Sequence, residues 1–229
     1  MEVLSMSSMS TDREGLIEDV LTKEQQDRLT PQSVIEILKE GNARFVAGEV
    51  TVRNHKEQIR RAALSQYPKA IILSCVDSRV PVEDVFDRGI GDLFVARVAG
   101  NFVNPDILGS LEFACHVSGA KLILVLGHEH CGAIKSAIDD VKLGNITEML
   151  SKLTPAVHEV PGFEGQRSST DEAFVHAVTE RNVWRNIERI RTESPILKTM
   201  EEEGAIAIRG ALYDMDNGQV TFLEEPTAS

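Results

Sequence analysis

Two short stretches of the chain end in side chains suited to hold a metal ion. The first is Ala70-Ile71-Ile72-Leu73-Ser74-Cys75-Val76-Asp77-Ser78-Arg79 and the second is Leu122-Ile123-Leu124-Val125-Leu126-Gly127-His128-Glu129-His130-Cys131-Gly132. Zinc takes thiolate sulfur and imidazole nitrogen in a tetrahedron. His128 and Cys131 are three residues apart, so both reach one ion from one turn, and Cys75 joins them from the other stretch. Three protein ligands with an open fourth position make a catalytic site, and four make a structural one. Asp77 is the candidate fourth ligand, and Arg79, two residues on, competes for it as a bidentate partner. One carboxylate with two alternative partners is a switchable ligand. His130 lies in the same turn and is either a competing ligand or a rim residue, where an imidazole relays protons near neutrality. A plainer reading fits the same residues: cysteines at the ends of buried strands, Asp77 as a helix cap, and a structural Asp77–Arg79 pair. Spacing alone leaves both open. Cys115, in the helical pattern Leu111-Glu112-Phe113-Ala114-Cys115, reads as core. His55, His116, His158 and His176 read as surface or helix residues.

Both stretches open on apolar runs without polar alternation, the pattern of strands buried on both faces of a parallel sheet. Open α/β sheets bind their ligands at the carboxyl ends of such strands. Around them the chain alternates strand and helix. Helices are predicted at Glu14–Gln26, from Thr30 (N-cap) and Pro31 to a stop at Gly48, and at His55–Ser65. A short helix over Pro81–Phe86 leads to a strand at Leu93–Ala99 and a helix at Ile107–Val117. The third strand is Lys121–Gly127 and the next helix Gly132–Leu143. Val157–Thr170 reads as a loop, followed by helices at Asp171–Thr192 and Pro195–Glu203. A fourth strand, Ala205–Tyr213, turns at Asp216-Asn217-Gly218 into an antiparallel edge strand, Gln219–Leu223. The predicted fold is α/β: a mainly parallel sheet of four strands plus the antiparallel edge strand, with helices on both faces and an N-terminal helical arm. It forms one domain over 1–229, an arm over 1–65 and an α/β zinc-binding core over 66–229. The sheet reads as complete without the arm, so Val34, Leu38 and Phe45 predict an exposed apolar patch and an interface there.

Composition removes several classes of function. The formal charge of −12, from 36 acidic and 24 basic residues, disfavours a nucleic-acid partner. No apolar run approaches a membrane span of about 20 residues. The start, Met1-Glu2-Val3-Leu4-Ser5-Met6, has no signal-peptide pattern, so the expectation is a cytoplasmic protein or an exported chain whose signal was removed earlier. Three cysteines are too few for a disulfide framework. Gly89-Ile90-Gly91 lacks the third glycine of a dinucleotide fingerprint and precedes a strand, and neither a phosphate loop nor a G-x-S-x-G elbow occurs.

Cys75-Val76-Asp77-Ser78-Arg79 together with Gly127-His128-Glu129-His130-Cys131-Gly132 resembles the paired signature of the β-class carbonic anhydrases. The resemblance runs from about Asn42-Ala43-Arg44-Phe45 to Gly210-Ala211-Leu212-Tyr213-Asp214. It implies Zn2+ on Cys75, His128 and Cys131, with Asp77 joining only in a closed state and the Asp77–Arg79 pair gating that position. The reaction implied is reversible hydration of carbon dioxide to bicarbonate and a proton by zinc-bound hydroxide. Gln66 is implied to hydrogen-bond the zinc-bound ligand from the partner subunit. Phe94, Ala99, Phe113 and Gly132 fall at the carbon dioxide pocket, with Phe113 where the family often has tyrosine. The assembly implied is a homodimer, or a tetramer built from it, with active sites at the subunit interface. A bicarbonate-inhibition site in some members needs a tryptophan three residues before the first cysteine. This chain has Ile72 there but matches the site's arginine with Arg97, and the non-allosteric subtype is expected. Hydrolysis of carbon disulfide or carbonyl sulfide on the same scaffold, and a non-catalytic zinc protein with Asp77 permanently on the metal, are the alternatives.

Overall fold

The computed structural model describes residues 16–160 and 162–225. Its centre is a five-stranded sheet: β1 (Ala70–Ser74), β2 (Leu93–Arg97), β3 (Leu122–His128), β4 (Ala207–Tyr213) and β5 (Val220–Phe222), in the order β2-β1-β3-β4-β5. The first four are parallel and β5 returns antiparallel on β4, as predicted. The chain leaves β1 for β2 on one side and then crosses back to β3 on the other. The carboxyl ends of β1 and β3 therefore form the topological switch point, the crevice where such sheets bind ligands.

Alternate residues along each strand feed two cores. On one face, Ile71, Leu73, Ile123, Val125 and Ile208 pack against Leu108 and Leu111 of α5 (Pro105–Glu112) and Val183, Ile187 and Ile190 of α9 (Glu172–Glu193). On the other, Ala70, Ile72, Leu122, Leu124 and Leu126 pack against Val34, Ile35 and Leu38 of α2 (Pro31–Ala47) and Val82 and Val85 of α4 (Val82–Val85). A third cluster caps the carboxyl end of the sheet. It joins Cys75 and Cys131 to Ile134 of α6 (Gly132–Ile138), Leu150 of α7 (Gly144–Leu150), Leu153, Ala156 of α8 (Thr154–His158), and Phe174 and Val178 of α9. Shorter helices complete the chain: α1 (Lys23–Asp27), α3 (His55–Ala62) and α10 (Pro195–Glu202).

The ends of α2 follow from local chemistry. Thr30 accepts a hydrogen bond from the Ser33 N–H, the Ser33 hydroxyl accepts one from the Thr30 N–H, and Pro31 fits the first turn, where its missing N–H has no partner to lose. Gly48 closes the helix at φ +72, a conformation costly for a side chain.

The sequence expectation fails at the N-terminus. Of the helix predicted over Glu14–Gln26 only the last turn is helical: Ile17 bridges Arg53 in extended backbone, and helix begins at Lys23, behind its Thr22 cap. Glu14 and residues 1–13 lie outside the described residues. The apolar patch expected on the arm is also not exposed, because the sheet is incomplete without α2. Val34 and Leu38 are fully buried on the chain's own sheet, and Phe45 is half-buried against Gly218. Three smaller differences occur beyond the sheet. The helix from Pro105 opens into a π-helical turn over Phe113–Val117; α6 stops at Ile138, where Asp140 turns through φ +50; and α7 and α8 follow it. The N-terminal segment is pinned by Asp87, whose fully buried carboxylate receives Arg53 at 2.6 Å, Arg44 at 2.6 Å and the Thr51 hydroxyl at 2.7 Å.

Candidate metal centre

β1 ends one residue before Cys75 and β3 ends on His128, so the two strand ends deliver a sulfur and an imidazole to one crevice. Cys131 stands at the N-cap of α6, where the chain leaves the turn after β3. The ligand atoms of Cys75, His128 and Cys131 all lie within 4.8 Å of one another, and all three residues are buried. Cys115 is buried in the core away from them, as expected, and burial pushes its thiol up to about 12.

The imidazole is set for a cation. His128 Nδ1 lies 2.8 Å from the Glu129 carbonyl oxygen, which can only accept, so Nδ1 carries the proton and Nε2 presents a lone pair. That Nε2 is buried with no hydrogen-bond partner among the described residues. An orphaned acceptor in a dry site costs free energy unless something fills it. The sulfurs give the same signal. The neighbouring Cys131 holds the Cys75 thiol well below the ordinary range, while Cys75 and burial push the Cys131 thiol up. A dication held between them satisfies two thiolates and the imidazole, and two sulfurs with one nitrogen is a zinc donor set.

Asp77 is turned to Arg79. Arg79 Nε donates to Oδ1 at 2.9 Å, Nη2 to Oδ2 at 2.8 Å and the Arg79 N–H to Oδ1 at 3.0 Å. The guanidinium holds the Asp77 carboxyl at about 2. Arg79 also reaches the His130 carbonyl at 3.4 Å, tying the two motif loops together. His130 occupies φ +53 at the rim, with Nε2 3.9 Å from Asp216, and is outside the three-residue cluster.

The other predicted site residues divide. Phe94 and Phe113 face each other at 6.3 Å between ring centroids and line a groove of about 620 Å³ with Ile71, Ala96 and Pro105. Ala99 and Gly132 lie at the metal end instead, next to Gly100 and Cys131. A side chain begun at Gly132 would meet nothing within 4 Å, so space is open beside Cys131. Gln66 is exposed before the amino end of β1. The length of that strand alone, about 16 Å, separates it from the Cys75 end of the same chain.

Arg97 was matched in the sequence only to an inhibition-site arginine, and the other residues around the centre escaped the sequence reading. Arg97 donates to the carbonyls of Cys75 at 2.7 Å, Asp77 at 3.4 Å and Val80, so it braces the loop that carries the first ligand. The Gly100 N–H lies 3.3 Å from the Cys75 sulfur. Behind it, the Asn182 amide donates to the Gly100 carbonyl at 2.9 Å, and Asn186 accepts from the Val103 N–H at 2.8 Å. The Glu129 carboxylate lies 2.6 Å from His176 Nδ1 on α9, which raises the His176 pKa and ties down the His128 turn. The sequence holds one signal for the asparagines: both fall, four apart, on the apolar stripe of α9.

Comparison with known proteins agrees with this geometry. A family model described as carbonic anhydrase matches residues 70–220. Carbonic anhydrase 2 of Mycobacterium tuberculosis is 35% identical over 198 residues, spanning 84% of this chain and 92% of that protein. A carbonic anhydrase of Mycolicibacterium smegmatis is 37% identical over 199 residues, spanning 83% and 92%. Among solved structures, the β-carbonic anhydrase CafA of Aspergillus fumigatus superposes with a TM-score of 0.64 at 25% identity, over 85% of this chain and 92% of that one.

Proposed function

The chain belongs to the β-class carbonic anhydrases, and from that membership and its Cys75–His128–Cys131 cluster we infer that it catalyses the reversible hydration of carbon dioxide to bicarbonate and a proton. The observation that carries this is the buried donor set, with the His128 Nε2 lone pair left without a protein partner. Zinc held there supplies a Lewis acid that lowers the pKa of water and makes hydroxide available at ordinary pH. Cys75 and Cys131 bring two negative charges to the ion. They offset its acidity relative to a site of three neutral imidazoles, for which the water pKa is about 7, so activity rises through the alkaline range.

Asp77 is the orienting residue. Held by Arg79, its carboxylate would accept a hydrogen bond from a group at the open position beside the metal and fix that group's orientation. Ala99 walls the pocket at the metal end, since carbon dioxide offers little to hydrogen-bond, whereas Phe94 and Phe113 line the separate groove beside β2. Gln66 lies too far from its own metal end to act there, and its amide serves the partner subunit's site in a homodimer or a tetramer built from it. Support for that assembly comes from the exposed side chains of Phe113, which packs on Phe94 of β2, and of Val117 in the same turn. The net step turns carbon dioxide and water into bicarbonate and a proton that leaves to solvent.

Released from Arg79, the Asp77 carboxylate would be a fourth, anionic donor for the ion beside Cys75, His128 and Cys131, and would close the site. Arg79→Ala removes the competing partner, and is expected to be nearly inactive with zinc retained. Asp77→Asn is expected to lose activity without carboxylate capture of the metal. The test is a steady-state profile of carbon dioxide hydration from about pH 6.5 to about 9.5, with crystals grown at each end. A flat profile with Asp77 on Arg79 throughout would sink the gate.

A further inference from the structure

α9 buries Phe174, Val175, Val178, Val183, Ile187 and Ile190, and along that apolar face it also buries two asparagines, Asn182 and Asn186. Uncharged amides in a core are retained at a cost unless each polar atom finds a partner. Here the partners fix both side-chain orientations. The Val103 N–H can only donate, so Asn186 Oδ1 faces it at 2.8 Å. Asn186 Nδ2 then donates to the Asn182 carbonyl at 2.7 Å and to Asn182 Oδ1 at 3.1 Å. That leaves Asn182 Nδ2 to donate to the Gly100 carbonyl at 2.9 Å. The pair therefore clamps the 100–103 segment at both ends. Gly100 sits at φ +84, and a side chain there would begin 2.5 Å from a Leu153 methyl, so the segment has little freedom of its own. Its N–H is aimed at the Cys75 sulfur, 3.3 Å away.

Resting on the metal reading above, we propose that Asn182 and Asn186 are positioning residues that hold the Gly100 N–H on the Cys75 sulfur and so limit the negative charge this ligand gives to the zinc. An N–H donor draws density from a thiolate, so the ion stays a stronger Lewis acid than two unmodified thiolates would leave it. Outer partners of metal ligands alter affinity by about 10- to 100-fold when removed. Losing Asn182 frees the loop and removes the donor from Cys75.

The experiment compares wild type with Asn182→Ala and Asn182→Ser, and with Ile190→Ala as a cavity in the same helix that bonds nothing in the loop. Zinc affinity is measured by chelator competition, and the sulfur-to-metal charge-transfer band by absorption of the cobalt-substituted proteins. The Asn182 variants are expected to bind zinc about 10- to 100-fold more weakly, with the band moved to lower energy. Ile190→Ala is expected to lose stability and change neither. In wild type loaded with cadmium-113, the Gly100 amide proton is expected to couple to the metal through the sulfur. Wild-type affinity and band position in the Asn182 variants would overturn the proposal. So would equal shifts in Ile190→Ala. If neither Asn182 variant folds, the wild-type spectrum decides, and a Gly100 amide without coupling to cadmium overturns it. Wild type that takes up no zinc would instead overturn the metal reading itself.

Discussion

Only two of the three cysteines lie within reach of His128, and substitution separates them. Cys75→Ser, His128→Ala and Cys131→Ser are each expected to lose most of their zinc by metal analysis, whereas Cys115→Ser keeps about one ion per chain. Full zinc in all four variants would contradict the ligand assignment. These ligands were legible in the sequence as candidates from their spacing, which left a structural reading open, and the resemblance of the paired motifs pointed to the metal. The Asp77–Arg79 pair was legible because two residues of strand-end backbone bring a carboxylate and a guanidinium together. Arg97 was legible as a residue but not in its role, since the carbonyls it bonds belong to another strand's loop. Asn182 and Asn186 carry a visible signal as polar residues on an apolar stripe. Their partners, 82 and 83 residues away in the chain, depend on how α9 lies over the sheet.

At the scale of elements, the pattern of four apolar runs and a final hairpin predicted the sheet, because period and turn chemistry are local properties. Both ends of α2 were equally plain from Thr30, Pro31 and Gly48. The segment at 16–22 was not, since its polar composition suits helix and its extended form depends on a bridge to Arg53. Asp87 anchors that region, and an unpaired charge left in a buried pair is destabilising by about 3–5 kcal/mol. Asp87→Ala is therefore expected to lose about that much by urea unfolding at neutral pH. Burial opposes ionisation of Asp87, yet Arg53, Thr51 and Arg44 together hold its pKa below the usual carboxylate range. The unfolded value is about 3.9. The stabilisation is thus complete above that pH and is lost as pH falls through the folded value. Below about pH 4 the wild type is expected to lose stability faster than Asp87→Ala; parallel curves would remove Asp87 from the acid response.

For the whole molecule, the sheet order leaves β2 outermost, and among the described residues no strand pairs with its free edge. Unpaired edges invite pairing with another chain, and Phe113 and Val117 add exposed apolar surface beside this one. Light scattering is expected to give at least twice the 25.2 kDa of the chain. An active monomer would remove Gln66 from a partner's site. The position of the interface was not legible in the sequence: Val34 and Leu38 have the pattern of a patch, and only the packing of α2 on its own sheet shows them to be core. The most direct test of zinc-dependent catalysis is the rate of carbon dioxide hydration at alkaline pH on protein of measured zinc content, followed through metal removal by a chelator and reloading. Activity is expected to fall with zinc content, to return on reloading, and to stay absent in Cys75→Ser. A fully loaded wild type that hydrates carbon dioxide no faster than buffer, or activity that survives removal of the metal, would contradict it.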